Sequence, residues 1–230
     1  MNAGRAQFFL TELDSCETEK DGFELLIGRL ELARGLHAPP AMTRGRSIFL
    51  RRNSLKQSCW EKYESWLWNR PQNAMARALS SYPFDNNLEL ALEQMTAAEM
   101  AVIRAHEIGE FRVGQKVGED WEKLLLAVLG TPAELMLRAV RDHWADCIET
   151  LPMLISTKGR EASMHVFIGN LENELKAELK ELRETPEKPF VQPYVIDNAP
   201  AFDENLTKTT ELLTIATLHY KAQDKDSVVS

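Results

Sequence analysis

The sequence predicts a mainly α protein, a helical domain with a small N-terminal β-hairpin. Three observations lead there. From about residue 54 onward, apolar side chains recur at three- to four-residue spacing, the period of one helix face. Several of these segments open on a capping residue and close on glycine or proline. Only near the start do extended apolar runs flank a turn signal, with QFFLTEL and FELLIG on either side of the polar DSCETEKDG. Its Lys-Asp-Gly ends on a residue able to take positive φ.

After the hairpin, LELARGL is expected to form a helical turn ended by Pro39-Pro40, and Ile48-Phe49-Leu50 is a short apolar centre between arginines. Ser54-Leu-Lys-Gln57 reads as a capping box opening a helix through SLKQSCWEKYESWLWNR. Along it Cys59/Trp60, Tyr63 and Trp66/Leu67 form a buried stripe that Pro71 ends. QNAMARALSSY and NNLELALEQM are expected as two further helices. Thr96-Ala-Ala-Glu99 would cap the next one, which Gly114 and Gly118 end. EDWEKLLLAVLG closes on Gly130. Thr131-Pro132-Ala-Glu134 combines a cap, a first-turn proline and an acid three residues on, opening a helix that runs to Pro152.

Residues 1–155 are therefore expected as a helical core domain with its hairpin, and 156–184 as a long amphipathic helix. The stripe of that helix runs from Met164 through Phe167/Ile168, Leu171, Leu175 and Leu179 to Leu182. Residues 185–230 would form a strap with four prolines between 186 and 200, then a terminal helix and a polar tail.

Composition narrows the function classes. A chain of 230 residues, 44% of them hydrophobic, has ample material for a core. No stretch is apolar and long enough to cross a bilayer, and the start MNAGRAQFFLTELDSCETEK is not a secretory signal. The three cysteines, Cys16, Cys59 and Cys147, include no CxxC pair, which argues for a reduced, cytoplasmic protein without a thiolate zinc site. The net charge of −8 is split: residues 1–80 hold 12 Lys+Arg against 9 Asp+Glu, and the rest hold 15 against 26. General nucleic-acid binding is disfavoured, because phosphate neutralisation dominates that affinity. The arginine- and tryptophan-bearing stretch TRGRSIFLRRNSLKQSCWEKYESWLW could contact phosphates and stack on bases. Its tryptophans follow core spacing, however, and a structural role is the reading adopted.

The sharpest feature is EMAVIRAHEIGE, residues 99–110. On a helical wheel at about 100° per residue, Glu99, His106 and Glu110 fall within about 20° of one line, flanked by Met95, Val102, Ile103 and Val113. Arg104 and Arg112 point elsewhere. A buried carboxylate must be neutralised by a proton, a partner or a metal. In RDHWADC, residues 141–147, His143 and Asp146 stand at i, i+3 near the apolar stripe of Met136, Val140, Trp144, Cys147 and Leu151. Two antiparallel helices joined through 118–130 would pool Glu99, His106, Glu110, His143 and Asp146. Carboxylates and imidazoles on facing helices suit iron or manganese better than zinc. The structural reading of the same residues is a hydrogen-bonded polar network, with Glu99 serving only as the capping partner of Thr96. HEIGE ends in glutamate, so it lacks the second imidazole of the zincin HExxH. No phosphate-binding glycine loop and no GxSxG elbow is present.

Three segments together, LARGLHAPPAMTRGRSIFLRR, WEKYESWLWNRPQNAMARALSSYPFD and AHEIGEFRVGQKVGEDWEKLL with RAVRDHWADCIETLP, resemble the C-terminal half of an uncharacterised family of bacterial, mainly proteobacterial, hypothetical proteins. The likeness covers about residues 6–155. It implies a further N-terminal helical segment that this chain lacks, and no activity. The Glu99–x6–His106 spacing separately resembles haem-oxygenase-like di-iron oxidases, where one helix contributes such a pair. That resemblance implies a two-metal site, although His143 and Asp146 depart from the family's His-x3-Asp-x2-His set.

The function expected is a divalent-metal-binding helical protein, an oxidase or hydrolase, in which the metal activates dioxygen or water and Glu107 transfers protons. The alternative is a non-catalytic interaction or assembly module whose polar stripe is structural. Its homodimer or partner surface would be the 160–184 helix or the proline-rich strap.

Overall fold

The computed structural model describes residues 8–19, 21–35 and 39–171. The proline-rich strap, the terminal helix and the second half of the 160–184 helix lie outside them.

The N-terminal element is larger than a hairpin. β1 (Phe9–Thr18) and β2 (Glu24–Arg34) pair antiparallel around a tight turn, in which Gly22 takes φ +76° and its N–H donates to the Glu19 carbonyl at 2.8 Å. Most of DSCETEKDG is thus strand, not loop. LELAR, expected as a helical turn, is the second half of β2. Its alternation of Leu30, Glu31 and Leu32 suits a strand once β1 supplies a partner, because pairing outweighs the helix propensity of single residues. β3 (Ala41–Arg44) and β4 (Ser47–Arg51) form a second hairpin, and β4 joins β2 in parallel, giving the order β1-β2-β4-β3. The molecule is therefore a helical majority with a four-stranded mixed sheet. Phe23, Leu25, Ile48 and Leu50 cover the inner face of the sheet.

α1 (Arg52–Asn69) leaves β4 directly, with Arg51 at its cap position. The expected capping box does not form: the Ser54 hydroxyl donates to Glu31 Oε1 at 2.7 Å instead. Glu31 also meets Arg51 at 2.6 Å, with side chains only 6% and 2% exposed, so this arginine of the TRGRSIFLRR stretch has a structural role inside the core. Arg70 in left-handed conformation ends α1, ahead of Pro71. α2 (Ala74–Ser80) is capped by Asn73. α3 (Leu88–Val117) merges two expected helices into one, and its true cap is Asn87, whose side chain accepts from the Leu90 N–H at 3.1 Å. Thr96 is fully buried in mid-helix, so Glu99 is no capping partner.

α4 (Glu119–Ala127) and α5 (Pro132–Ala145) follow. Glu134 closes back on the Gly130 N–H at 2.8 Å, while the Thr131 hydroxyl donates to the Val128 carbonyl. α5 does not stop at Pro152. It widens into a π turn at Asp146–Thr150 and continues as α6 (Leu151–Ser156), with the proline in the first turn. A proline ring crowds the carbonyl four residues back, and the widened turn relieves that crowding. The last described residues, 161–171, are helical, as α7. α3 runs through the centre, with the sheet packed on Phe111 and with Leu55, Met75, Leu79 and Val166 packed around its first half.

Candidate functional site

The candidate site lies where α3 meets α5. Their backbones touch at Gly109: a Cβ there would stand 2.5 Å from the Ala145 carbonyl oxygen. A mid-helix glycine costs about 1 kcal/mol against alanine, and this contact is its physical reason. The close approach puts His106 beside the π turn. Its Nδ1 lies 2.8 Å from Asp146 Oδ1 and its Nε2 3.4 Å from Glu110 Oε1. Glu110 in turn accepts from Arg141 Nη2 at 2.8 Å, and the same guanidinium holds Asp142 at 2.7 Å. The result is a chain of alternating charge, Asp146–His106–Glu110–Arg141–Asp142.

The electrostatics follow from this order. Burial disfavours the imidazolium, but hydrogen bonds to Asp146 and Glu110 outweigh it and push His106 up to about 11. Burial would raise Glu110, yet His106 and the Arg141 charge hold it below the usual carboxylate range. Asp142 is only half-buried, yet desolvation and the facing Glu110 push it up to about 6 in spite of Arg141. At neutral pH His106 is thus doubly protonated, with both ring nitrogens donating.

The other sequence-derived residues separate. Glu99 sits two turns earlier, 5% exposed, against Cys59, Thr96 and Tyr82. Burial pushes it up to about 7, opposed by a hydrogen bond with Ser163 and the charges of Lys62 and Arg160, and its Oε1 has no partner. Glu107 turns to the sheet, where it accepts from the Thr43 hydroxyl at 2.6 Å, and burial raises it above its usual range. His143 lies half-buried on α5, its enclosed Nε2 without a hydrogen-bond partner. Of the five residues expected as ligands, the structure joins His106, Glu110 and Asp146. Among the described residues, no group of three or more His, Cys, Asp or Glu is arranged to hold a metal ion.

Arg141, Asp142 and Gly109 complete the site but were not assigned to it from sequence. The signals were present: an arginine beside an aspartate on the partner helix, and a glycine inside a strong helical pattern. Also among the described residues, no helix is long and apolar enough to cross a membrane.

Two family models match the chain: the N-terminal domain of a family of unknown function (DUF6866) over residues 1–51, and its C-terminal domain over residues 56–223. The match takes in both domains where the resemblance above reached only a C-terminal half, and it extends past residue 155. No curated protein and no solved structure matches.

Proposed function

The chain belongs to this family of unknown function, which lends it no activity, and from the geometry alone we propose that it is a non-catalytic interaction or assembly module. Its polar stripe is a structural network locking α3 to α5. One observation carries this reading: both nitrogens of His106 point at carboxylates, and the acid on one side is shared with Arg141. An imidazolium so engaged has no lone pair for a metal and no vacancy for a substrate proton. Partial support for the interaction role comes from apolar side chains left in solvent, among them Phe8, Leu10, Leu13, Leu30 and Leu32 in or beside β1 and β2.

A second reading keeps the metal. Three carboxylates, Glu110, Asp142 and Asp146, converge on one imidazole and one guanidinium. Iron or manganese entering there would displace the His106 proton, with Glu107 as proton-transfer group. Metal analysis of protein purified without chelator separates the two. The network reading expects less than about a tenth of an equivalent of iron, manganese or zinc. It also expects His106→Ala to lose about 2–4 kcal/mol of stability with the metal content unchanged. Near-stoichiometric metal that His106→Ala abolishes would overturn it.

A further inference from the structure

A second feature lies away from the network. β2, the start of α1 and the first half of α3 enclose an open cleft of about 530 Å³, within the range of small-molecule sites. In a chain of net charge −8, its lining carries Arg29, Arg52 and Lys56 against the single acid Glu93. The two α1 cations converge on that acid. Arg52 Nη2 meets Glu93 Oε2 at 2.7 Å and Lys56 Nζ meets Glu93 Oε1 at 2.6 Å, one cation for each oxygen. Lys56 also reaches Glu89, and Arg29 pairs with Glu12 at the mouth. All these acids are substantially exposed, so the pairs are weak and exchangeable. Trp60, Leu30 and Leu92 supply the apolar part of the lining.

Two cations held apart by one carboxylate form a fork for any bidentate oxyanion, and arginine with lysine favours a phosphate dianion over a monoanion. An indole in the same lining suits a flat ring, because ring stacking is tolerant of ring identity. We infer that this cleft binds a phosphate monoester carrying a planar ring, of the mononucleotide class. Its phosphate replaces the Glu93 carboxylate between Arg52 and Lys56, and its ring lies along Trp60. Glu93 is then a competitor built into the site, holding the fork in shape while the ligand is absent.

The cleft shares no residue with the His106 network. Titration of the full chain at low salt, followed by calorimetry and tryptophan fluorescence, compares adenosine monophosphate, inorganic phosphate and adenosine. Saturable binding is expected for the monophosphate, binding about tenfold weaker for phosphate, and none for adenosine. Glu93→Gln should bind the monophosphate about tenfold more tightly, because the competitor has lost its charge, and Lys56→Gln or Arg52→Gln about tenfold more weakly. All three side chains are partly exposed, and circular dichroism checks that each variant is folded. No saturable monophosphate binding, equal binding of adenosine, or a folded Glu93→Gln with unchanged or weaker affinity would overturn it.

Discussion

At the scale of single residues, the stripe that stood out in the sequence divides into two kinds of acid. Glu110 and Asp146 have cations against them, with His106 between the two and Arg141 on Glu110. Glu99 has cations only at a distance, keeps an unpaired oxygen and holds its proton up to about pH 7. Such an acid binds its proton more tightly when folded than its ordinary 4.5 allows. Its contribution to stability is full below about 4.5, declines as pH rises to about 7, and is gone above that. Denaturant unfolding from pH 4 to 8 should show Glu99→Gln more stable than the parent by about 2–3 kcal/mol at pH 8, with the two close at pH 4.5. Parallel curves for the two proteins would show that Glu99 is ionised in the fold. The wheel located these residues correctly on one face, since periodicity is set by backbone geometry. It could not assign their partners, because Arg141 and Ser163 belong to other helices.

At the scale of elements, sequence pattern was most legible where one helix face decides burial, as along α1, α3 and α5. It misled where a local signal competed with tertiary pairing. Thr96 looked like a cap because Thr-x-x-Glu is one, yet α3 begins at Asn87 and carries Thr96 into the core. Leu30–Arg34 looked helical until β1 is seen beside it. The π turn has no sequence signature beyond Pro152, and it is this turn that carries Asp146 opposite His106. The junction it serves is narrow. Gly109→Ala would drive a methyl into the Ala145 backbone, which cannot yield as a flexible side chain does. Thermal or denaturant unfolding should show a loss of about 2–4 kcal/mol, in spite of alanine's higher helix propensity. A neutral or stabilising result would mean that α3 and α5 stand further apart.

At the scale of the whole molecule, the two family domains share one structural unit. Phe111 of α3 packs against Phe23, Leu25, Ile48 and Leu50 of the sheet side. Arg112 ties Asp21 near the first turn to Glu149 in the π turn, and Arg104 ties Glu19 to the same helix. The basic excess of the first 80 residues is spent partly on such cross-links to acids, as Arg52 and Lys56 show. Phe111→Ala should therefore destabilise the sheet and the helices together, by about 3–5 kcal/mol, in one transition seen alike by far-ultraviolet dichroism and tryptophan fluorescence. Two separate transitions would mean that the sheet unfolds independently of the helices.

The sheet order leaves β1 on one flank, ten residues long and with Leu10 and Leu13 exposed. A straight ribbon of that kind would invite strand after strand to add to it. Its pairing with β2 slips at Leu10/Thr11, Glu12/Leu13 and Leu13/Ser15, and Gly28 makes room there for Thr11. Two of the slips insert an extra residue of β2, Leu32 and Arg29, and one inserts Asp14 of β1, so the ribbon coils more tightly and the free edge of β1 is broken at Asp14. A strand adding to this flank by its backbone would meet that break and the tighter coil, which disfavours fibril-like growth by templating.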